Sequence, residues 1–590
     1  MFNTIASRLK TCASLMALTA ASGLVFAGAA HAQSASDQAS DSLAVNIVHA
    51  LVKQGVLTQD KADAILSEAQ AETDQARAAH ASDTQASAAQ AMASAPANDG
   101  VVRVPYIPEN VRAEIKNELK TEMVAQAKTE NWATPNTFPD WVSHVSLFGD
   151  FRFRNETRTF DHGNATDIVN FNAINQGSAY NANGVANPPI LNSTQNRDLM
   201  QIRARFGVKA QITDNVLAVV SAASGNDNGP TSTTQTLGAD FNKPSLWLDL
   251  AYLSYKPIED LELVFGRAPN PFTSTEIVWK QDDLRFDGVS ARYDYGFDHS
   301  GRANLHGTLG VFPLDYTDGY ESTALSSGKP SDHHDKYLIG GQFGGSYRFT
   351  QKLTGRLDAA YYDFVGTRGV LSDPCLNTSD YCDTDYTRPA YMQKGNTLFA
   401  VRNLTTADPS NTAIPQYFGL ASNYRVLDLV GKLDYTASPN FIASLTMDYA
   451  KNLAFDKAKI LAMNPVTNIG CSVNITVMGA TCSGSGGKTT LQSGDDAWLV
   501  RATIGHPAIN MPGDWKASLA YAHIEPDAVI DAFDDKDFRM GGTNSKGFIL
   551  QGDYGIAKNT WITGKYLSAD AIHGAPYTVD VFQLDLNTRF

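Results

Sequence analysis

The stretch MQIRARFGVKAQI, residues 200–212, alternates between two kinds of side chain. One face carries Ile202, Ala204, Phe206, Val208 and Ile212, and the opposite face carries Arg203, Arg205, Lys209 and Gln211. A period of two predicts a β-strand, because successive side chains of a strand point to opposite faces. Strands of soluble proteins average about 5–6 residues. This one is long enough to cross a bilayer when it is tilted.

Arginines opposite large apolar side chains suit a wall with lipid outside and water inside. An arginine on the lipid side would cost about 2–4 kcal/mol at the bilayer midplane. HVSLFGDFRFR, residues 144–154, repeats the pattern, with Leu147, Phe151 and Phe153 on one face and Asp150, Arg152 and Arg154 on the other. A soluble sandwich also shows alternation, but its strands are shorter. From Ser143 onward the sequence therefore predicts strands that separate two solvents.

The connections between these strands alternate in length. Short turns are predicted at 213–215, 257–260, 349–352, 438–440 and 557–559, and long polar links at 159–198, 225–245, 269–286, 313–335, 365–421, 452–494, 525–543 and 569–577. This alternation is typical of an outer-membrane barrel with both chain ends in the periplasm. We predict an all-β transmembrane β-barrel, residues 143–590, of about 16 antiparallel strands. Eighteen strands are the alternative, because 365–421 could contain a hairpin.

The chain ends on DVFQLDLNTRF, residues 580–590. The last strand must close the barrel against the first, so that no edge is left open to lipid. Its apolar face then meets lipid, and the terminal aromatic ring lies in the interfacial girdle. This end resembles the sorting signal that the barrel-assembly machinery of outer membranes reads, with the residues Phe582, Leu584, Leu586 and Phe590.

Residues 1–32 have the features of a cleaved signal peptide. Arg8 and Lys10 precede an apolar region that ends at the small-x-small pattern Ala30-His31-Ala32. Cleavage would remove two basic residues and change the formal charge from −15 to −17. Such acidity argues against a nucleic-acid partner. We therefore expect an exported protein of the bacterial outer membrane.

Helical spacing precedes the barrel. Residues 33–70 contain a predicted small helical hairpin, with a break at Gly55 and a cap at Thr58. Residues 71–100 form an Ala/Gln/Ser-rich linker, and residues 101–142 contain an amphipathic helix and the lead-in to the barrel. The prediction is a short α-helical periplasmic N-terminal arm, with periplasmic contacts through residues 42–132. The hairpin has no basic face for DNA.

Four cysteines follow the signal peptide, in two local pairs: Cys375 with Cys382, and Cys471 with Cys482. An even number in an exported chain predicts two short disulfides. A metal site is the rival interpretation, but CxxC spacing and paired histidines are missing. We expect no metal and no cofactor.

Residues 263–297, LVFGRAPNPFTSTEIVWKQDDLRFDGVSARYDYGF, resemble the part of classical trimeric porins in which a strand ending in Gly-Arg precedes a loop that folds into the barrel. Residues 100–590, including VPYIPENVR and LFGDFRFR, resemble the proteobacterial putative porin family. The resemblance implies an outer-membrane β-barrel porin that is a homotrimer, in contact with membrane lipid and lipopolysaccharide.

An inward link would place acidic residues opposite a basic wall, which creates a transverse field across a constriction. The predicted link residues are Glu276, Asp282, Asp283 and Arg285, and the predicted pore-lining wall is Arg152, Arg154, Arg203, Arg205, Lys209, Arg267 and Arg292. The alternatives are an external link with solvated charges, and arginines that brace strands by pairing with Asp150 and Glu156.

The leading functional hypothesis is a porin, a water-filled channel for passive diffusion of ions and small polar solutes. The alternatives are an anion- or phosphate-selective pore, favoured by the arginine row, and a structural anchor with a periplasmic helical arm. The sequence contains no nucleophile elbow and no recognisable triad spacing, so we expect no enzymatic activity.

Overall fold

The computed structural model describes residues 144–181, 188–225, 229–280, 282–296, 302–316, 335–379, 381–406, 413–470 and 490–590. They belong to one compact unit, Glu122–Phe590. The predicted signal peptide, helical hairpin, linker and lead-in (residues 1–32, 33–70, 71–100 and 101–142) lie outside the described residues, as do Cys471 and Cys482. Those predictions remain untested.

Sixteen long strands form the body of the fold. In chain order they are β1 Val145–Phe160, β2 Arg197–Thr213, β3 Val216–Ser224, β4 Leu246–Ile258, β5 Leu261–Pro269, β6 Arg285–Gly296, β7 Ala303–Asp315, β8 Lys336–Arg348, β9 Leu353–Val365, β10 Tyr424–Ser438, β11 Phe441–Asn452, β12 Asp496–Gly505, β13 Trp515–Ile524, β14 Ser545–Ala557, β15 Thr560–Ala571 and β16 Thr578–Arg589.

Each strand pairs antiparallel with its neighbours in the chain, and the ring closes on itself. The first strand pairs with both the second and the last, so that Phe153 lies between Ile202 of β2 and Leu586 of β16. The prediction of a sixteen-stranded antiparallel barrel is confirmed. The alternative of eighteen is wrong, because the short strands within residues 366–423 pair with one another or with residues 180–181 and do not join the ring.

Short and long connections alternate around the ring. Two residues join β2 to β3 and β4 to β5, whereas residues 366–423 join β9 to β10. We call the two ends of the barrel the short-turn end and the long-link end. Two six-residue helices, α1 Phe171–Gln176 and α2 Lys457–Ala462, lie in long links. Each begins at a capping side chain, Asn170 and Asp456 respectively.

The two faces of each strand differ as the alternation requires. On the outer face Leu147 is 72% exposed and Phe206 is 53% exposed. On the inner face Arg154 is only 4% exposed. The buried apolar core lies inside the ring and combines strand residues such as Tyr362 with long-link residues such as Trp279 and Ile530. Within the described ranges, no helix has the length and apolar character needed to span a membrane.

Candidate functional site

The link between β5 and β6 crosses the interior of the barrel. We call residues 270–284 the constriction link. The main-chain N–H and the hydroxyl of Thr275 donate to Asp448 Oδ2 on β11, at 3.0 and 2.6 Å. Glu276 pairs with Arg501 on β12. Because β11 and β12 are six and seven strands away from β5 in the ring, these contacts place the link across the lumen.

Aromatic packing explains why the link turns inward. Trp279 is fully buried, and its ring centre lies 5.1 Å from those of both Phe286 and Tyr362. The ring of Phe272 occupies the space beside Gly340 on β8, where a Cβ atom would approach it to 2.5 Å. Large aromatic rings bury more apolar area than most side chains, and edge-to-face pairs add about 0.5–1.5 kcal/mol each. The apolar part of the link is therefore its anchor.

The end of the link returns to the arginines of β2. Asp283 lies 3.5 Å from Arg203 and 3.7 Å from Arg205, and it accepts a hydrogen bond of 2.7 Å from Thr233. Burial alone would raise the pKa of Asp283, but the guanidinium groups of Arg203, Arg152 and Arg205 outweigh it and lower the pKa. Asp283 is thus held ionised against the basic wall.

Two arginines of this wall, Arg203 and Arg205, are paired with fixed carboxylates. Asp150 lies 2.8 Å from Arg203 and 2.7 Å from Arg205, in addition to their contacts with Asp283. Arg152 donates to Thr234 Oγ1 at 2.5 Å. The contacts of Asp150 with Arg203 and Arg205 therefore support the interpretation that these arginines brace neighbouring strands, rather than line the pore as unpaired positive charges.

Arg154 lies apart from the other three and deeper in the protein. It binds Asp585 of β16 through two nitrogens, at 2.7 and 2.8 Å, and lies 3.3 Å from Asp537. Glu156 accepts from Arg158 and from Gln583. This network ties the first strand to the last and to the link between β13 and β14.

Other predicted residues lie elsewhere. Glu276 does not face Arg152, Arg154, Arg203 and Arg205 as predicted, because the first half of the link contacts the far wall and only its end returns to β2. Arg285 is the first residue of β6 rather than part of the link, and it binds Asp249 at 2.9 Å. The remaining wall residues are also dispersed: Lys209 lies over Phe148, Arg267 pairs with Asp287, and Arg292 pairs with Asp294.

A second long link packs on the constriction link. We call residues 525–544 the upper link. Lys280 Nζ lies 2.8 Å from Asp535, and the Lys280 main chain donates to the carbonyl of Phe533 at 2.8 Å. Burial alone would raise the pKa of Asp535, but Lys280 and Lys565 lower it to about 2. The two links are therefore joined by an ion pair and by main-chain hydrogen bonds.

A charged cavity of about 410 Å³ lies beside the constriction link, against the inner wall. We call it the lumen cavity. Its lining comprises Glu276, Lys280, Asp282, Lys432, Ile442, Ser444, Thr446, Arg501, Thr503, Pro507, Lys516, Ser518, Asp535, Gln551, Asp553 and Lys565. Sequence reasoning missed Arg501 and Lys565. The same alternation signals Arg501, because DAWLVRATIG places it between the outward-facing Val500 and Ala502.

Two other predictions concern covalent and terminal features. Cys375 and Cys382 form a disulfide whose Cα atoms are 6.0 Å apart, so that this prediction is confirmed.

Of the terminal residues, Leu584, Leu586 and Phe590 are exposed on the outer face, and Phe582 is partly exposed. Their recognition by an assembly machinery remains a prediction. No group of three metal-binding side chains occurs among the described residues.

A family model described as "Putative porin" matches residues 41–590. The chain belongs to this family. Membership of the putative porin family, together with the closed barrel, indicates an outer-membrane location and a channel role. Among curated proteins, none matches this chain.

Solved porins align over most of this chain at low similarity. They include the outer-membrane channel DcaP of Acinetobacter baumannii, with 10% identity, a TM-score of 0.34, and coverage of 76% of this chain and 97% of that one. OprB of Pseudomonas putida has 10% identity, a TM-score of 0.37, and coverage of 76% and 95%. OmpF of Salmonella typhi, in complex with daunomycin, has 11% identity, a TM-score of 0.34, and coverage of 76% and 97%.

Proposed function

We propose that this protein is a water-filled outer-membrane channel for the passive diffusion of ions and small polar solutes. The observation that supports this most directly is the lumen cavity, which lies between the constriction link and the inner wall and carries charges of both signs. Charged groups that face each other across a narrow aqueous space orient small polar solutes and disfavour apolar ones.

A liposome-swelling series tests this proposal. Purified, folded protein is reconstituted into liposomes, and swelling is followed with sugars of graded size and with a small salt. We expect rapid swelling with the salt and the smallest sugars, and a decline with size. Protein-free liposomes are the control, and folded protein that admits neither salt nor sugar would contradict the proposal.

Anion selectivity is the second candidate. Five basic residues line the lumen cavity against four acidic ones: Lys280, Lys432, Arg501, Lys516 and Lys565 against Glu276, Asp282, Asp535 and Asp553. The excess is one positive charge, and two of the basic residues are paired, Arg501 with Glu276 and Lys280 with Asp535. We therefore propose weak rather than strict anion preference. Reversal potentials under a KCl gradient measure it, and a cation-selective reversal potential would rule it out.

We further propose a homotrimer in contact with lipopolysaccharide, inserted by the barrel-assembly machinery through the apolar end at Phe590. Cross-linking in outer-membrane vesicles tests the trimer, since it should yield a band at three times the protomer mass. Removing Phe590 tests insertion, since the truncated protein should accumulate in the periplasm.

The family and the barrel fold are typical of channels rather than enzymes.

A further inference from the structure

A second cavity, of about 330 Å³, lies at the long-link end of the barrel. We call it the mouth cavity. It lies beside the connection from β15 to β16, and the upper link and residues 392–398 form two of its other sides. Much of its wall is apolar, with Ile168, Val169, Phe171, Met392, Leu398 and Val466. Apolar walls with a few placed polar groups are characteristic of small-molecule sites.

Two basic side chains converge on one aromatic ring in this cavity. The Lys394 nitrogen and the Arg539 guanidinium carbon lie 5.1 and 5.4 Å from the centre of the Tyr577 ring. Neither has a carboxylate within 4 Å among the described residues. Asp531, which lines the cavity, and Asp534 lie nearby, but burial raises the pKa of both, that of Asp531 to about 7. Lys394 and Arg539 therefore lack a fully ionised carboxylate partner.

The charge on Lys394 is correspondingly disfavoured. Burial and the neighbouring Arg539 hold the pKa of Lys394 well below its ordinary value. Its Nζ donates to the carbonyls of Met540 and Gly541, at 2.7 and 2.8 Å, rather than to an acid. Buried charges in proteins are normally paired, because leaving one unpaired is costly. An incoming anion would supply the missing partner.

The backbone that carries Arg539 is held in a costly conformation. Arg539 and Met540 have φ values of 51° and 57°, in the left-handed region, which costs about 1–2 kcal/mol per residue. The contacts from Lys394 fix this turn, and the N–H of Gly542 donates to Asp534 Oδ1 at 3.1 Å. Backbone strain of this kind is concentrated at functional sites.

The strained turn presents a guanidinium group with donor capacity to spare. Arg539 is only 4% exposed, and its Nη2 donates to the carbonyl of Thr543. Its Nε is buried and donates to no acceptor among the described residues. A buried N–H that lacks an acceptor costs about 1–3 kcal/mol.

We propose that the mouth cavity binds a small carboxylate with an apolar body, the carboxylate between Lys394 and Arg539 and the body against Tyr577 and the apolar wall. A guanidinium matches the planar geometry of a carboxylate, and charge-assisted hydrogen bonds are about twice as strong as neutral ones. The site lies apart from the lumen cavity, so this proposal goes beyond diffusion through the channel. It gives the long-link end a capture site for one class of solute.

Calorimetric titration of the purified, detergent-solubilised protein with benzoate tests the proposal. Benzyl alcohol has a similar body without charge, and acetate has the charge without the body. We expect saturable binding of benzoate and at least tenfold weaker binding of both others. The variant Arg539→Gln should lower the affinity for benzoate about tenfold or more, as loss of a charge-assisted hydrogen bond predicts.

The matched control is Arg425→Gln, which removes an exposed arginine at the long-link end that is not among the cavity-lining residues. It should bind benzoate as the unmodified protein does. Heat-modifiable gel mobility shows whether Arg539→Gln is folded. If it is not, Tyr577→Leu replaces it and should also weaken the binding of benzoate. No saturable benzoate binding, equal binding of benzyl alcohol, or unchanged affinity in the folded variants would overturn the proposal. None of these readouts depends on conductance, so failure of the channel proposal is recorded separately.

Discussion

The main chain of Phe590, the last residue, exchanges two hydrogen bonds with that of Gly149 on the first strand, at 3.1 and 3.0 Å. The Phe590 ring lies over the hydrogen atoms of Gly149, where a Cβ atom would come within 2.6 Å of the ring and 2.5 Å of the Arg205 carbonyl oxygen. The seam of the barrel thus continues to the last residue, and its aromatic ring requires a glycine opposite it.

Adding a methyl group at this seam should weaken closure of the barrel. We expect Gly149→Ala to destabilise the folded barrel by about 1–3 kcal/mol, the usual cost of overpacking. The effect is measured as the temperature at which the protein no longer migrates on a gel as the compact, folded barrel. Gly552→Ala is the matched control, because a Cβ atom at this strand glycine meets nothing within 4 Å. Equal transition temperatures for the two variants would contradict the interpretation of the seam.

Arg154 should matter far more to stability than another lumen-facing arginine, Arg292. Removing Arg154 leaves the buried carboxylate of Asp585 without its ion-pair partner, which costs about 3–5 kcal/mol, and leaves Asp537 with Lys536 alone. The pair between Arg292 and Asp294 is partly exposed, and such pairs contribute at most about 1 kcal/mol. We therefore expect Arg154→Leu to unfold at a much lower temperature than Arg292→Leu. Similar losses for both would show that the Arg154 network is not structural.

The pairing of Glu276 with Arg501 predicts an effect on selectivity. Glu276→Gln removes a negative charge from the lumen cavity and leaves the Arg501 charge without its partner. The reversal potential under a KCl gradient should shift towards anions. Glu259→Gln removes the same charge from an exposed short turn and should leave the reversal potential unchanged. A shift of the same size in both variants would mean that only net charge, not position in the lumen, is being measured.

Asp531 in the upper link predicts a pH dependence of stability. Burial raises its pKa to about 7, against an ordinary value near 4. Because the folded-state value is the higher one, ionisation opposes folding: the penalty is absent below about pH 4, grows as the pH rises to about 7, and is constant above that. Asp531→Asn should therefore lose less stability than the unmodified protein between pH 5 and 8.

The unfolding temperature across this pH range measures the difference. The control is Asp240→Asn, at an exposed position with a φ of 49° that asparagine also tolerates. It should keep the pH profile of the unmodified protein. Identical profiles for Asp531→Asn and the unmodified protein would show that Asp531 is not the group responsible.

The sequence predicted the wall of the barrel better than its contents. Alternation fixes which face a side chain occupies, so Arg203 and Arg205 could be placed inside together with their neighbour Asp150. It does not fix height along the strand or the path of a link, because those depend on tertiary packing. For this reason Glu276 was assigned to the wrong wall. The role of the upper link was not foreseen, since its ion pair to Lys280 joins residues 255 positions apart.

Cysteine accessibility in a planar bilayer tests the central claim, that the inner and outer faces of the strands meet different solvents. Thr503 on β12 lines the lumen cavity, and Leu519 on β13 is 52% exposed on the outer face. Each is changed to cysteine in a chain whose other cysteines are serine, and a charged, water-soluble thiol reagent is added during recording. We expect stepwise loss of conductance with Thr503→Cys and no change with Leu519→Cys. Block through Leu519→Cys with none through Thr503→Cys would contradict the account.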